Sequence, residues 1–295
     1  MSDSRSVAVL GLGAMGHAFA VNLLEAGFDV SVWNRSPGKA DDLVAGGARL
    51  ADSAADAVVD AQAVIVMLPD LAVTRDVLLG DRGALATMAR DALLVQMGTL
   101  GVAETDRLIA EVGESRDDIV FIDAPVSGTK APAEQGAVVV LASGDRDRAA
   151  GVVEPIFDVL GKQTHWLGQA GRGARMKVVI NAWLISMMQG IAETAHLADA
   201  LGVAGDELWQ ILEGGPLATP YMKLKLDTIA GGDFDPQMAL QWGLKDAGLA
   251  LEAGDEEALP SLSQIRNLWF DAVDAGHGEQ DIAAIHAYLD RYRRR

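Results

Sequence analysis

The sequence predicts an α/β domain built on a doubly wound, mostly parallel sheet, followed by an all-α domain that a long helix joins to it. Three observations carry that expectation. Short, continuously apolar strands alternate with helical segments up to about Trp166, as in a sheet covered on both faces. A glycine-rich turn lies between the first strand and the first helix. From Gly173 onward every segment has helical periodicity. At 295 residues the chain is also long for one hydrophobic core, so domains are expected at 1–168 and 169–295.

The elements follow in order. Val7 to Leu10 reads as a strand running into the turn, and the next helix spans Ala14 to Glu25 and stops at Gly27, a natural C-terminal cap. Val30 to Trp33 completes a βαβ unit. Pro37 to Val44 reads as helix, and Ser53 caps another that leads to the buried strand Ala63 to Leu68. Strands at Ala92 to Met97, Ile119 to Ile122 and Gly136 to Leu141 follow, with a helix at Thr105 to Val112 and another opened by Gly144-Asp145. In the second domain one helix covers Gly173 to Leu201. Asp235-Pro236 predicts a start by N-cap and first-turn proline for a helix reaching Gly254. Pro260 to Gly276 and Gln280 to Arg291 are the last two.

Composition narrows the function classes. A net charge of −18 opposes non-specific attraction to nucleic acid or anionic membranes, so neither is expected as a partner. The basic end Arg291-Tyr292-Arg293-Arg294-Arg295 reads as a solvated terminus. With no cysteine there is no disulfide, thiolate catalysis or cysteine-ligated metal. The histidines at 17, 165, 196, 277 and 286 show no metal-ligand spacing, His196 reads as packed in its helix, and no metal is expected. No signal-peptide pattern and no run of 18 apolar residues is present, which predicts a cytoplasmic protein.

The turn Gly11-Leu12-Gly13-Ala14-Met15-Gly16 follows an apolar strand and opens a helix. In that context the glycines let the backbone approach a pyrophosphate at the positive helix N-terminus, which is the Rossmann arrangement. At the end of the second strand stands Asn34-Arg35-Ser36, without the carboxylate that accepts an NAD ribose hydroxyl. A guanidinium and a hydroxyl suit a 2′-phosphate, so NADP(H) is expected over NAD(H).

Beyond the middle, Gly171 to Asn181 puts Lys177 and Asn181 four residues apart, on one face of an apolar helix. Val178, Val179 and Ile180 are expected to pack around them, which would lower the lysine pKa toward a range useful for moving a proton to or from a carbonyl oxygen. The residues alone also allow a surface lysine whose stem lies along the helix.

Asp123-Ala124-Pro125-Val126-Ser127-Gly128, together with the Gly171 to Asn181 segment and Leu244-Lys245-Asp246, resembles the β-hydroxyacid dehydrogenase family over essentially the whole chain. That family includes 3-hydroxyisobutyrate dehydrogenases and glyoxylate/succinic semialdehyde reductases, and its fold is 6-phosphogluconate dehydrogenase-like. The resemblance implies an NADP-dependent oxidoreductase of small carboxylic aldehydes or keto acids. It makes Lys177 the acid/base, Asn181 its assistant, and Ser127, Gly128 and Thr129 the carboxylate turn. It adds Thr99 beside the nicotinamide and Lys245, which closes on cofactor and substrate. Met67, Leu68 and Pro69, where the Ala63 strand ends, are counted with the cofactor site, and Asp246 with the substrate site. A homodimer or homotetramer is expected, from the family and from the apolar stretch Trp183 to Met188.

Ser127 to Glu134 looks like the turn of the glyoxylate/succinic semialdehyde branch. Gly98 departs from the usual serine before Thr99, and Gln241-Trp242 from a basic pair before Lys245. Trp242 either lines the substrate pocket, against a substrate as small as glyoxylate, or packs in the core. An imine reductase of similar fold is the alternative enzyme, although such enzymes usually carry aspartate or tyrosine where Lys177 stands. A cofactor-binding scaffold without catalysis is the other.

Overall fold

In the computed structural model, which describes residues 5–292, the first strand is β1 (Ser6–Leu10), buried from its second residue on. Residues 293–295 of the basic end lie outside the described part. β1 pairs in parallel with β2 (Asp29–Trp33) and with β4 (Ala63–Val66). A short β3 (Arg49–Leu50) extends the β2 side, and β5 (Leu93–Gln96) and β6 (Val120–Asp123) extend the other, all parallel. β7 (Val126–Ser127), β8 (Val138–Gly144) and β9 (Gly161–Trp166) complete a nine-stranded sheet of order β3-β2-β1-β4-β5-β6-β8-β7, with β9 paired to β8. Two apolar clusters, one centred on Val9, Phe19 and Phe157 and the other on Leu10, Val64 and Leu94, fill the two faces.

The last part of the sheet departs from the expectation of parallel strands. β8 runs antiparallel to both β6 and β7. A parallel return needs a crossover of a dozen or more residues, usually a helix. Here the chain between β6 and β8 is spent on β7, the Ser127 turn and the five-residue helix Lys130–Glu134. The 15-residue helix Arg146–Leu160 does supply such a crossover, and β9 is parallel to β8.

The helices of this part are α1 (Ala14–Glu25), α2 (Asp41–Ala45), α3 (Ala54–Ala57), α4 (Leu71–Leu79), α5 (Val102–Ser115), α6 (Lys130–Glu134) and α7 (Arg146–Leu160). The helix expected over Pro37 to Val44 is a 3₁₀ turn followed by α2, and the structure adds β3, α4, β7 and β9. Ser53 and Asp145 cap as expected, accepting from the backbone of Asp56 and Arg148.

The second part contains α8 (Arg172–Leu201), α9 (Gly205–Leu212), α10 (Pro220–Gly231), α11 (Leu240–Gly254), α12 (Pro260–Ala272) and α13 (Ile285–Leu289). Asp235-Pro236 does not start a helix: α11 begins only at Leu240. The reason is Asp281, whose buried carboxylate accepts from the Gln237 N–H (3.0 Å) and pairs with buried Lys225 at 2.5 Å. Ala239 forms a bridge to the same aspartate, which holds the segment extended. The last expected helix is broken into 3₁₀ turns around α13. By length and composition α8 could cross a membrane, but it carries Arg172, Arg175 and Lys177, and 44% of its most apolar stretch is buried in the protein.

The chain divides into two compact units, Met1–Val178 and Val179–Arg295. The sequence places the boundary at 168/169. The first unit also takes the opening turns of α8, because Gly173, Ala174 and Arg175 bond to Ser143, Asp123 and Asp106 of that unit.

Candidate active site

Around the glycine turn, Gly11 has φ +100, and its N–H donates to Trp33 O at 2.9 Å, which ties the turn to β2. A Cβ on Gly11 would collide with Met67 O, and one on Gly16 with Gly11 O, so α1 lies directly on the turn. Gly13 is different: a Cβ there meets nothing within 4 Å. It is the N-cap of α1 and brings no side-chain hydrogen bond, so the helix start is open. A backbone cradle with space before a positive helix end fits a dinucleotide pyrophosphate. Leu12 and Gly16 are buried, Met15 is half-buried, and Gly13 and Ala14 are exposed.

Asn34 bonds within the protein. Its amide oxygen accepts from the Leu12 N–H at 3.0 Å and its NH₂ donates to Ser36 O at 2.9 Å. It therefore braces the turn, and Arg35 and Ser36 are left exposed. At the turn a cavity of about 380 Å³ is lined by Leu12, Gly13 and Ala14, by the basic Lys39 and Lys130 and by the acidic Asp42 and Glu134, among others. The two lysines were not picked out by motif reasoning. Their signal is the placement of Lys39 three residues after Ser36 and of Lys130 directly after Thr129.

Met67 is half-buried, Leu68 buried and Pro69 exposed, at the carboxyl end of β4. Thr99 is half-buried just past β5. Gly98, which stands for a serine, has no room for a side chain here, since its Cβ would lie 2.6 Å from Leu68 O. On the other side of the sheet Ser127 closes β7, and Gly128 takes φ +145. Ser127 and Thr129 are half-buried and Gly128 is exposed, so this turn also offers hydroxyls and backbone to solvent.

Two family models cover the chain: the NAD binding domain of 6-phosphogluconate dehydrogenase over residues 6–168, and NAD-binding of NADP-dependent 3-hydroxyisobutyrate dehydrogenase over residues 171–289. The chain belongs to the β-hydroxyacid dehydrogenase family. It is 37% identical to glyoxylate/succinic semialdehyde reductase 1 of Arabidopsis thaliana, over 95% of this chain and 96% of that protein. It is 32% identical to the human cytokine-like nuclear factor N-PAC, over 97% of this chain but only 52% of that protein. Among solved structures, 3-hydroxyisobutyrate dehydrogenase from Salmonella typhimurium superposes with TM-score 0.85 at 25% identity, covering 96% and 99% of the two chains. An imine reductase from Pseudomonas sp. has TM-score 0.62 at 27% identity, with 96% and 99% covered. This β-hydroxyacid dehydrogenase relative is thus an NAD(P)-binding oxidoreductase.

Lys177 is half-buried on α8. Val178 beside it is buried, Val179 is 65% exposed and Ile180 intermediate, so the apolar packing expected around Lys177 is one-sided. In the second unit Asn181 is 1% exposed and donates from Nδ2 to Asp246 Oδ2 at 2.6 Å. Asp246, on α11, is buried behind Asn181, with Lys245 Nζ 3.8 Å from its other oxygen. Asn181 thus has its NH₂ held and its amide oxygen directed by a carboxylate. Trp242 is 44% exposed, which excludes the core reading, and Lys245 Nζ lies 5.9 Å from its ring centre. The core tryptophan of this unit is Trp269, fully buried and donating to Gln189 Oε1.

Histidines without sequence spacing meet in space. His196 Nδ1 lies 3.6 Å from Asp290 Oδ1 and His286 Nε2 lies 3.5 Å from Asp199 Oδ2, so each imidazole faces a carboxylate. His196 is half-buried.

Proposed function

We propose that this protein is an NADPH-dependent reductase of small carboxylic aldehydes or keto acids, reversible toward 3- or 4-hydroxy acids. The observation that carries the reading is the Lys177/Asn181 pair on α8 in a chain 37% identical, over 95% of its length, to a glyoxylate/succinic semialdehyde reductase. The imine reductase alternative has the lower structural similarity, 0.62 against 0.85. The scaffold alternative leaves the intact Lys177, Asn181 and Ser127 without a use.

The open start of α1, with Gly11 to Gly16, would hold the pyrophosphate, and Arg35 and Ser36 the 2′-phosphate. Met67 to Pro69 and Thr99 complete the cofactor set of the first unit. When bound, NADPH supplies a hydride to the substrate carbonyl carbon. Lys177 then gives its ammonium proton to the carbonyl oxygen as charge develops there, and takes a proton from the hydroxyl in the reverse direction. Asn181, oriented by Asp246, steadies that oxygen or the lysine. Ser127, Gly128 and Thr129 bind the carboxylate through hydroxyls and backbone N–H. Trp242 presents an apolar wall suited to a chain longer than glyoxylate. An exposed apolar face on α8 (Val179, Trp183, Leu197 and Leu201) suits a homodimer or homotetramer.

The test is NADPH oxidation with succinic semialdehyde, glyoxylate, methylmalonate semialdehyde, tartronate semialdehyde and a cyclic imine. One of the acids should be turned over best, and its methyl ester poorly. Preference for the imine, or equal use of acid and ester, would overturn the reading.

A further inference from the structure

The helix that carries Lys177 begins against a buried polar row. Gln96, Asp123 and Ser143 stand opposite one another on β5, β6 and β8 through the pairs Gln96↔Asp123 and Asp123↔Ser143. Their exposures are 1%, 1% and 0%. Asp123 Oδ2 accepts from the Ala174 N–H at 2.8 Å and from Ser143 Oγ at 3.1 Å. Ser143 Oγ in turn accepts from the Gly173 N–H at 2.9 Å. Both N–H groups belong to the first turn of α8, where no intrahelical acceptor exists.

The contact is close as well as polar. A Cβ on Gly173 would press on Leu141 O and lie 2.9 Å from Asp123 O, so the helix backbone rests on the ends of β6 and β8. On the outer side Arg175 forms a two-pronged pair with Asp106, at 3.0 and 2.8 Å. Lys177 follows Ala174 by three residues, a rise of about 4.5 Å along the helix. A carboxylate accepts more strongly from these donors than a neutral group does, and its burial is offset by those bonds.

We propose that Asp123, with Ser143 as its partner, is a positioning residue for the reaction, fixing the height and rotation of the first turn of α8 and so the place from which Lys177 presents its ammonium. This rests on Lys177 being the proton donor. A displacement near 1 Å at a reacting group can cost about 100-fold in rate, and the latch is what prevents it.

The experiment is a double-mutant cycle on the full chain, with kcat and KM for succinic semialdehyde or the best acid of the panel, NADPH Kd by fluorescence, and Tm for folding. Asp123→Ala should lower kcat at least 10-fold, with NADPH Kd within twofold. Asp123→Asn, which keeps an acceptor for the Ala174 N–H, should recover most of that loss. Ser143→Ala is the milder variant should Asp123→Ala melt early, with kcat down several-fold. In a Lys177→Ala background Asp123→Ala should change the residual rate less than twofold. Full kcat in folded Asp123→Ala and Ser143→Ala, or a loss of the same size with and without Lys177, overturns the latch and leaves the lysine reading standing. A fully active Lys177→Ala defeats both.

Discussion

At the start of α1 the N-cap is Gly13, no side chain accepts from the first turn, and the space before it is empty. At the start of α8 the first-turn N–H groups of Gly173 and Ala174 are taken by Ser143 and Asp123, in a place with no room even for a Cβ. Both are positive helix ends at the carboxyl side of the same sheet, and both use glycine for close approach. One has no side-chain cap, which under the proposed function leaves its N–H groups for an outside anion. The other is filled by the protein's own carboxylate, which turns an anion site into a fixed mount. A helix start without a cap is a binding feature, and one with a buried charged cap is a positioning feature. Substitutions near α1 should therefore move affinity, and those near α8 should move rate.

The largest effect separating the two ends belongs to Lys177. Lys177→Ala should lower kcat by about 10²–10⁴-fold, the usual contribution of a positioned acid, while NADPH Kd is unchanged. Lys177→Arg should fail nearly as badly, because a guanidinium does not release its proton near neutral pH. Stopped-flow rates with a cofactor titration check both, and a folded Lys177→Ala keeping more than about a tenth of kcat breaks the contrast.

Next comes the ionisation of Asp123. Burial pushes its carboxyl up from 3.8 to about 6, against the opposing pull of the Ala174 N–H and Ser143. The folded value lies above the unfolded one, so the native state holds the proton more tightly. The stabilisation this gives, relative to a non-titrating variant, is full below pH 3.8 and lost as pH rises through 6. Two units at 1.36 kcal/mol each make about 3 kcal/mol, of which roughly half falls between pH 5 and 8. Urea melts of wild type and Asp123→Asn should show the asparagine gaining on the aspartate by that amount from pH 5 to 8. A pH-independent difference would mean the carboxyl does not titrate there.

At the α1 end, Arg35→Ala should erase a preference for NADPH worth about 1.5–3 kcal/mol and leave NADH affinity unchanged. An equal loss for both cofactors would make Arg35 structural. The smallest effect discriminates most finely. Gly13→Ala should keep Tm, since its Cβ meets nothing, and weaken NADPH binding roughly tenfold. Gly173→Ala should lower stability by about 1–3 kcal/mol through overpacking, with NADPH binding intact in the folded fraction. The same change at the two ends should thus give opposite readouts.

Much of this was legible in order and type. The strand–turn–helix at Leu10 to Glu25, the caps at Ser53 and Asp145 and the long helix after Gly171 follow from local chemistry, and the structure has them close to where expected. What misled were residues whose partners are distant in sequence. Asp235-Pro236 has the signature of a helix start, but Asp281 captures the following N–H groups. Asn34 stands where a cofactor ligand is expected, and the structure adds that its amide oxygen also accepts from the Leu12 N–H, 22 residues away. Trp242 either lines the substrate pocket or packs in the core by its pattern, and Trp269 holds the core place.

The sequence by itself determined the two domain classes, the dinucleotide turn and the lysine–asparagine pair, because strand and helix periodicity and backbone freedom at glycine are properties of near neighbours along the chain. The tertiary structure alone decided that β8 returns antiparallel, and with it that Ser143 stands opposite Asp123 beneath the start of α8. It decided also that Asp246 stands behind Asn181. Those pairs lie 20 and 65 residues apart, and their meeting depends on strand direction and helix packing, which are set by how the whole core is filled.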